Sequence, residues 1–175
     1  MPLSTLETPA QKIEQSGRSG LRINLGANDR RIDGFLSVDI VPPADVIADL
    51  TKPWPWPDSS VDEILAFDVI EHLPDKRHTL NEMWRVLVPG GIARIQVPDS
   101  SEGDGADCDP THISRWNRSS FEYVEKGTFE RDRFRNSAYY GINADFRVVS
   151  MGNSRHERRR GGYVIELQVV LEALK

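Results

Sequence analysis

From Leu21 onward, apolar residues fall in short runs broken by turn-forming residues. Leu21-Arg22-Ile23-Asn24-Leu25 alternates apolar and polar positions, Gly26-Ala27-Asn28 interrupts it, and Phe35-Leu36-Ser37-Val38 resumes before Asp39. The spacing predicts a strand, a tight turn and a second strand ending in a carboxylate, the layout of a nucleotide-binding crevice in an open α/β sheet. Asp45 to Leu50 reads as a further short strand, after a Pro42-Pro43 turn that cannot be helical. Between Thr51 and Pro57, three prolines in five residues force an extended loop. That loop holds Trp54 and Trp56 either over the sheet edge or beside a ligand pocket.

The second half of the stretch from Val61 to Phe67 is a strand candidate, and Asp68 to Pro74 connects it to a helix. From Asp75, the apolar residues Leu80, Met83, Trp84 and Leu87 fall at offsets of three, four and seven, one helical face that Pro89-Gly90-Gly91 ends. Ile92 to Val97 is the next strand, and Ser100 to Pro110 a loop rich in Gly and Asp. Ser119 with Glu122 forms a capping-box pattern for a short helix through Phe121 and Val124. Gly127 to Asn143 shows no clear period. Phe146 to Met151 and Tyr163 to Leu174 are two closing strands with no helix between them, which predicts an antiparallel pair. The earlier alternation of strands with crossovers predicts a parallel sheet wound by right-handed connections.

The composition is that of an ordinary globular chain: 175 residues, enough for one domain with its own core, at 38% hydrophobic and 28% charged. A formal charge of -5 provides no overall attraction for nucleic acid or an anionic bilayer, although Arg155-His156-Glu157-Arg158-Arg159-Arg160 is a local basic patch. By default that patch is a solvated hairpin tip that discourages edge aggregation. Cys108 is the only cysteine, so an internal disulfide is excluded and a reducing, cytoplasmic setting is expected. No apolar run approaches the roughly 20 residues that span a bilayer. The first twenty residues are polar, without the apolar core of a secretory signal, and read as a flexible arm that is either mobile or laid over a site, leaving 21–175 as a single domain.

A mostly parallel sheet closed by an antiparallel hairpin, with a glycine turn after the first strand and an acid after the second, resembles the class I S-adenosylmethionine-dependent methyltransferases. The resemblance sharpens in the order of Leu25-Gly26, Gly34-Phe35 before Val38-Asp39, Asp49-Leu50 before a proline-rich loop, Pro57-Asp58-Ser59-Ser60-Val61-Asp62, Glu71-His72-Leu73, and Arg85-Val86-Leu87-Val88-Pro89-Gly90-Gly91. Together these are similar to the small type-11 methyltransferase-like domain, closely from Leu21 to Val97 and more loosely beyond. The resemblance implies an α/β fold: a Rossmann-like, mostly parallel seven-stranded sheet with a C-terminal antiparallel hairpin and helices on both faces. The interval from Gly26 to Asp39 is shorter than the about 20 residues of a dinucleotide crevice, so the first crossover helix is expected to be short or absent.

What the resemblance implies for the site follows residue by residue. S-adenosylmethionine is the cofactor. Gly26, with Ala27 and Asn28, lets the backbone approach its methionyl part. Asp39 accepts its ribose hydroxyls, Asp49 its adenine amino group, and the backbone at Leu50 a ring nitrogen, while Phe67 and Asp68 face the same crevice. Only one glycine of the usual glycine-rich loop is kept. Asn28 is able to take the left-handed conformation that a second glycine would supply.

A sulfonium methyl is already activated, so transfer requires chiefly an acceptor held in line and shielded from water. For an oxygen or nitrogen acceptor, His72 and His112 are the candidate catalytic residues. His72 is alternatively a helix-start residue that packs over the cofactor or bonds backbone. His112, in Asp109-Pro110-Thr111-His112, is alternatively a substrate contact or a loop organiser held by Asp109. Asp104, Asp107, Asp109 and His112 do not match the EF-hand loop, and no metal site is expected. The expected function is methyl transfer to a small-molecule or saccharide-type acceptor, without nucleic-acid or membrane partners. The alternative is a non-catalytic methyltransferase-like domain acting as an interaction or regulatory module. A nicotinamide-dependent oxidoreductase fits less well, because there is no G-x-G-x-x-G.

Overall fold

The structure, a computed structural model, describes residues 20–128, 131, 137–157 and 162–175. Residues 1–19, where the arm is expected, and 158–161, which hold most of the basic run, lie outside the described residues. Seven strands form one sheet: β1 (Arg22–Leu25), β2 (Leu36–Asp39), β3 (Val46–Ile47), β4 (Val61–Phe67), β5 (Leu87–Gly103), β6 (Phe146–Glu157) and β7 (Tyr163–Ala173). Their order is β3-β2-β1-β4-β5-β7-β6. The first five run parallel, and β7 lies antiparallel between β5 and β6. The sheet is therefore wound outward from β1 to β3 and then back through β4. Between β1 and β4 the winding reverses, and in such sheets ligands bind there, beyond the carboxyl ends of the strands.

The pairing register puts Ile23, Leu25, Val38, Ile64, Ile95 and Val169 on one face, and all are essentially inaccessible to solvent. α1 (Lys76–Val86) adds Leu80, Met83 and Val86 to that core. Asp75 starts the helix by accepting the amides of Arg77 and His78 at 2.9 and 3.2 Å, which satisfies two of the unpaired donors of the first turn. At the other end Val88, preceding Pro89, is driven toward extended backbone, and the chain passes directly into β5. Toward β5 and β7 the opposite face of the sheet carries Arg94, Gln96, Gln168 and Glu172, with Arg94 paired to Glu63 at 2.7 Å. Of the helices expected on both faces, the described residues show few; α1 and the short helix Arg118–Glu122 send side chains into the core, whereas the 3-10 turn Ser137–Tyr140 carries exposed tyrosines.

No helix follows β1. The chain crosses to β2 through turns only, with Ala27 N–H bonded to the Val38 carbonyl and Arg30 N–H to the Ala27 carbonyl. The short helix after β5, α2 (Arg118–Glu122), starts earlier than the Ser119–Glu122 pattern predicts. Its capping box is Asn117 with Ser120: the Asn117 side-chain oxygen Oδ1 accepts from Ser120 N–H at 3.2 Å, and the Ser120 hydroxyl accepts from Asn117 N–H at 3.3 Å. Asn117 wins because it has the extended backbone of a cap, whereas Ser119 is already inside the helix.

Trp54 and Trp56 are 3% and 1% exposed and meet edge to face at 6.3 Å. Both indoles are part of the buried core, a place that neither the sheet-edge nor the pocket reading gave them. The closing strands are longer than their apolar pattern, since Asn153 to Glu157 keep pairing with β7 through backbone and through polar side chains, such as His156 with Glu166 at 3.0 Å and Arg155 over the Tyr163 ring. Among the described residues, no helix is long and apolar enough to cross a membrane.

Candidate cofactor crevice and acceptor-side cluster

The turn after β1 and the tip of β2 are one bonded unit. Gly26 and Asn28 both have positive φ, +61° and +48°, so Asn28 does adopt the left-handed conformation. This turn aims Asn28 N–H at Asp39 Oδ2, at 2.8 Å. Asp39 Oδ1 accepts from Ile40 N–H at 2.7 Å and Val41 N–H at 3.3 Å. The carboxylate at the β2 tip is thus oriented by three backbone amides, and Oδ2, with one partner, keeps spare acceptor capacity. A Cβ at Gly26 would come within 2.5 Å of the Val69 side chain, so Val69 is what approaches this glycine.

β3 stays in register with β2 because Ala48 N–H bonds the Asp39 carbonyl at 2.9 Å, which brings Asp49 and Leu50 to the same end of the sheet. Asp49 Oδ1 accepts from Thr51 N–H and Oγ1 at 2.9 and 2.7 Å. The Thr51 hydroxyl and amide hold its carboxyl below the usual range. Leu50 is buried, and its carbonyl takes the Trp54 indole N–H at 3.1 Å.

At the end of β4, Asp68 is forced to φ +55° and its N–H bonds the Gln96 carbonyl at 3.0 Å. Non-glycine residues in this conformation store strain, and strain of that kind concentrates at functional sites. Phe67 lies with Arg94, Gln96, Gln168 and Val170 along a trough of about 480 Å³ on the more polar sheet face.

A 3-10 turn, Ile70–His72, follows directly. The Glu71 carbonyl accepts from Ile113 and Ser114 N–H at 3.0 and 2.9 Å, which pins the segment after β5 against the segment after β4. This brings His72 and His112, forty residues apart in sequence, to a ring separation of 4.9 Å, edge to face. His72 Nδ1 lies 3.0 Å from the Thr111 carbonyl. A carbonyl only accepts, so Nδ1 carries the proton and Nε2 the lone pair. Asp109 Oδ1 is occupied by Thr111 N–H and Oγ1 at 2.8 and 2.6 Å, bonds that hold its carboxyl below the usual range. His112 Nε2 stands 3.9 Å from both Asp109 Oδ2 and Glu71 Oε1.

Glu71 is the residue that sequence reasoning missed as a site residue. It is 3% exposed, and among the described residues neither carboxylate oxygen has a hydrogen-bond partner within bonding geometry; Nδ1 of His112 is buried and without a partner among them as well. Burial pushes the Glu71 carboxyl up to about 7 against an opposing pull from its own backbone amide, and the nearby charges of Asp68, Glu166 and Asp109 push it in the same direction as burial. Glu71-His72-Leu73 was visible as a motif, but nothing in a linear reading marks which member faces inward.

Comparison with known proteins places these features. The family described as a methyltransferase domain matches residues 29–95. A protein of Mycolicibacterium smegmatis named as a probable S-adenosylmethionine-dependent methyltransferase is 33% identical over 119 residues, 66% of this chain and 42% of its own length. An S-adenosylmethionine-dependent methyltransferase of Methanosarcina mazei shares the fold at a TM-score of 0.59 and 13% identity, covering 96% of this chain and 98% of that one. Residues 29–95 match a methyltransferase domain, and the fold is that of methyltransferases of known structure.

A Burkholderia thailandensis 1,6-didemethyltoxoflavin-N1-methyltransferase, solved with 1,6-didemethyltoxoflavin and S-adenosylhomocysteine bound, also shares the fold, at a TM-score of 0.58 and 17% identity over 93% of this chain and 74% of that one. The chain spans about two fifths of the length of the curated relatives it matches. Its family match stops at residue 95, so Asp109 and His112 lie beyond it.

Proposed function

We propose that the chain is an S-adenosylmethionine-dependent methyltransferase acting on a small-molecule or saccharide-type acceptor by in-line methyl transfer. The observation that carries this reading is the bond between Asn28 N–H and the Asp39 carboxylate at the winding reversal of the sheet. It supports a pocket in which Asp39 takes the ribose, Asp49 and Leu50 the adenine, and the Gly26-Ala27-Asn28 turn, with Phe67 and Asp68, the amino-acid end. The residues present fit such a group: Asp39 Oδ2 has acceptor capacity left, and Asp68 sets a negative charge near a cofactor that carries a cationic sulfonium. S-adenosylmethionine would supply an activated methyl group. The chain's own contribution is to orient that group, exclude water and present the acceptor.

His72 and His112, on the loops after β4 and β5, are the residues placed to contact the acceptor. The lone exposed Cys108 accords with a reducing, cytoplasmic setting, and the one sheet that all seven strands share supports a single domain over 21–175.

A second reading, a non-catalytic module, is favoured by one observation: Val69 occupies the space over Gly26, and no helix follows β1 to direct its positive end at a ligand. Titration calorimetry with S-adenosylmethionine and S-adenosylhomocysteine separates the two. The enzyme reading expects saturable binding that Asp39→Ala weakens. Absence of binding at millimolar cofactor supports the module instead, and binding unchanged in Asp39→Ala overturns the placement of the ribose.

A further inference from the structure

We infer that Glu71, His72 and His112 form a binding site for one divalent transition-metal ion of the zinc type, on the acceptor side of the crevice. One donor atom from each of the three residues lies within 4.8 Å of the other two. That is too far apart for hydrogen bonding and close to what an ion requires, because donors about 2.0–2.2 Å from a tetrahedral centre sit about 3.4 Å from one another. The 3.9 Å between His112 Nε2 and Glu71 Oε1 closes to that value with a contraction of about 0.5 Å.

The burial of Glu71 is the second, independent observation. A carboxylate 3% exposed with both oxygens unpartnered is costly, since removing an ion from water without compensation is among the largest penalties in a protein interior. The neighbouring charges do not relieve it, because Asp68, Asp109 and Glu166 are all acidic. A cation between Glu71 and the two imidazoles would satisfy it.

The donor set determines the kind of cation. Two imidazoles and one carboxylate suit zinc or iron(II) and similar ions, whereas magnesium and calcium prefer oxygen ligands throughout. At His72 the surroundings match the supporting shell of a metal site, because the Thr111 carbonyl takes Nδ1 and leaves Nε2 for an ion. Asp109, itself held by Thr111, adds a second carboxylate 3.9 Å from the same His112 Nε2 that faces Glu71. This set differs from the aspartates of the loop after β5, of which Asp107 is paired with Arg115. The inference rests on the methyltransferase reading only for its use: an ion with three protein ligands keeps a position for an acceptor oxygen.

The test is titration of the full chain, after chelation and dialysis, with zinc chloride and separately with cobalt(II) chloride. The expected result is one zinc per chain, visible-range absorption from bound cobalt, and at least about tenfold weaker zinc binding in His112→Ala, His72→Ala and Glu71→Gln. His78→Ala, whose imidazole bonds the Lys52 carbonyl instead, leaves binding unchanged, and magnesium chloride does not compete. No zinc binding, or binding that survives both histidine substitutions, overturns the site. Should those variants fail to fold, the wild-type chain decides: cobalt must shift the ring-proton resonances of His72 and His112, and unshifted resonances overturn the proposal. S-adenosylhomocysteine titrated into the same chelated sample separates the readings. Its binding without any zinc binding removes the metal site and leaves the methyltransferase reading standing; zinc binding without it supports the site and removes that reading.

Discussion

Asn28 and Asp39 are joined by a 2.8 Å bond from a left-handed backbone to a strand-tip carboxylate. The turn and the β2 tip therefore form a single element, and a change to either disturbs both. Asp39→Asn keeps the shape but removes the charge from the three backbone amides it receives. Hydrogen bonds to a charged group contribute about 1.5–3 kcal/mol. The expected outcome is roughly 2 kcal/mol lower stability by urea denaturation, with S-adenosylhomocysteine affinity reduced at least about tenfold, by the same bonds and their lost geometry.

Gly26 is constrained twice, by φ +61° and by Val69 at 2.5 Å from any Cβ. Left-handed backbone costs a residue with a side chain about 1–2 kcal/mol. Gly26→Ala is expected to lose more than that, since the methyl group also collides with a branched side chain. In a double-mutant cycle, Val69→Gly, which removes the Cβ at 2.6 Å together with the Cγ2 at 2.5 Å, recovers the collision but not the backbone cost, so the two substitutions are non-additive. Additivity in urea melts would disprove the contact.

The guanidinium of Arg85 ties α1 to the tryptophan loop. It donates to the Trp54 and Trp56 carbonyls at 3.1 and 2.9 Å, to both Glu82 oxygens, and to Asp58 at 2.7 Å. Removing it strands two carbonyls and Glu82. Arg85→Ala is expected to cost on the order of 2–4 kcal/mol. Arg85→Lys recovers little of that, because a point charge does not reproduce a planar fork. Thermal melts of the three proteins check the order.

The buried Glu71 makes the stability of the chelated chain depend on pH. Its carboxyl is pushed up from 4.5 to about 7 by burial and by Asp68, Glu166 and Asp109, with the His112 ring on the other side. The folded state then binds the proton more tightly than the unfolded one, so its contribution is complete below pH 4.5 and is lost as pH rises toward 7. The loss amounts to roughly 3 kcal/mol. Asp49 and Asp109, held below the usual range, titrate in the acid region, whereas Glu166, pushed up by burial and by Asp68, loses stability in the same direction as Glu71. Glu71→Gln should reduce the slope between pH 5 and 7, and the double substitution with Glu166→Gln should reduce it further; a slope unchanged in Glu71→Gln would mean that another group carries it.

Much of this protein was determined by local sequence. The alternation of Leu21 to Leu25, the helical spacing of Leu80 and Met83, and the hairpin without a connecting helix each follow from the period of a strand or a helix, and β1, α1 and the β6–β7 pair are where those periods place them. Asn28 at positive φ follows from the few side chains that tolerate that conformation. Competition between neighbours was harder to read: Asn117 and Ser119 are both credible caps, and only the direction of the incoming chain selects Asn117.

What the tertiary structure alone decided is which polar residue turns inward. Trp54 and Trp56 are buried because Arg85, about thirty positions along, satisfies the carbonyls of their loop. Glu71 is buried because its own carbonyl is held by the amides of Ile113 and Ser114, more than forty residues away, which swings the carboxylate beneath His112. Periodicity reports the faces of an element. It carries no information about two loops that meet only when β4 and β5 lie side by side, and that meeting assembles the cluster of Glu71, His72 and His112.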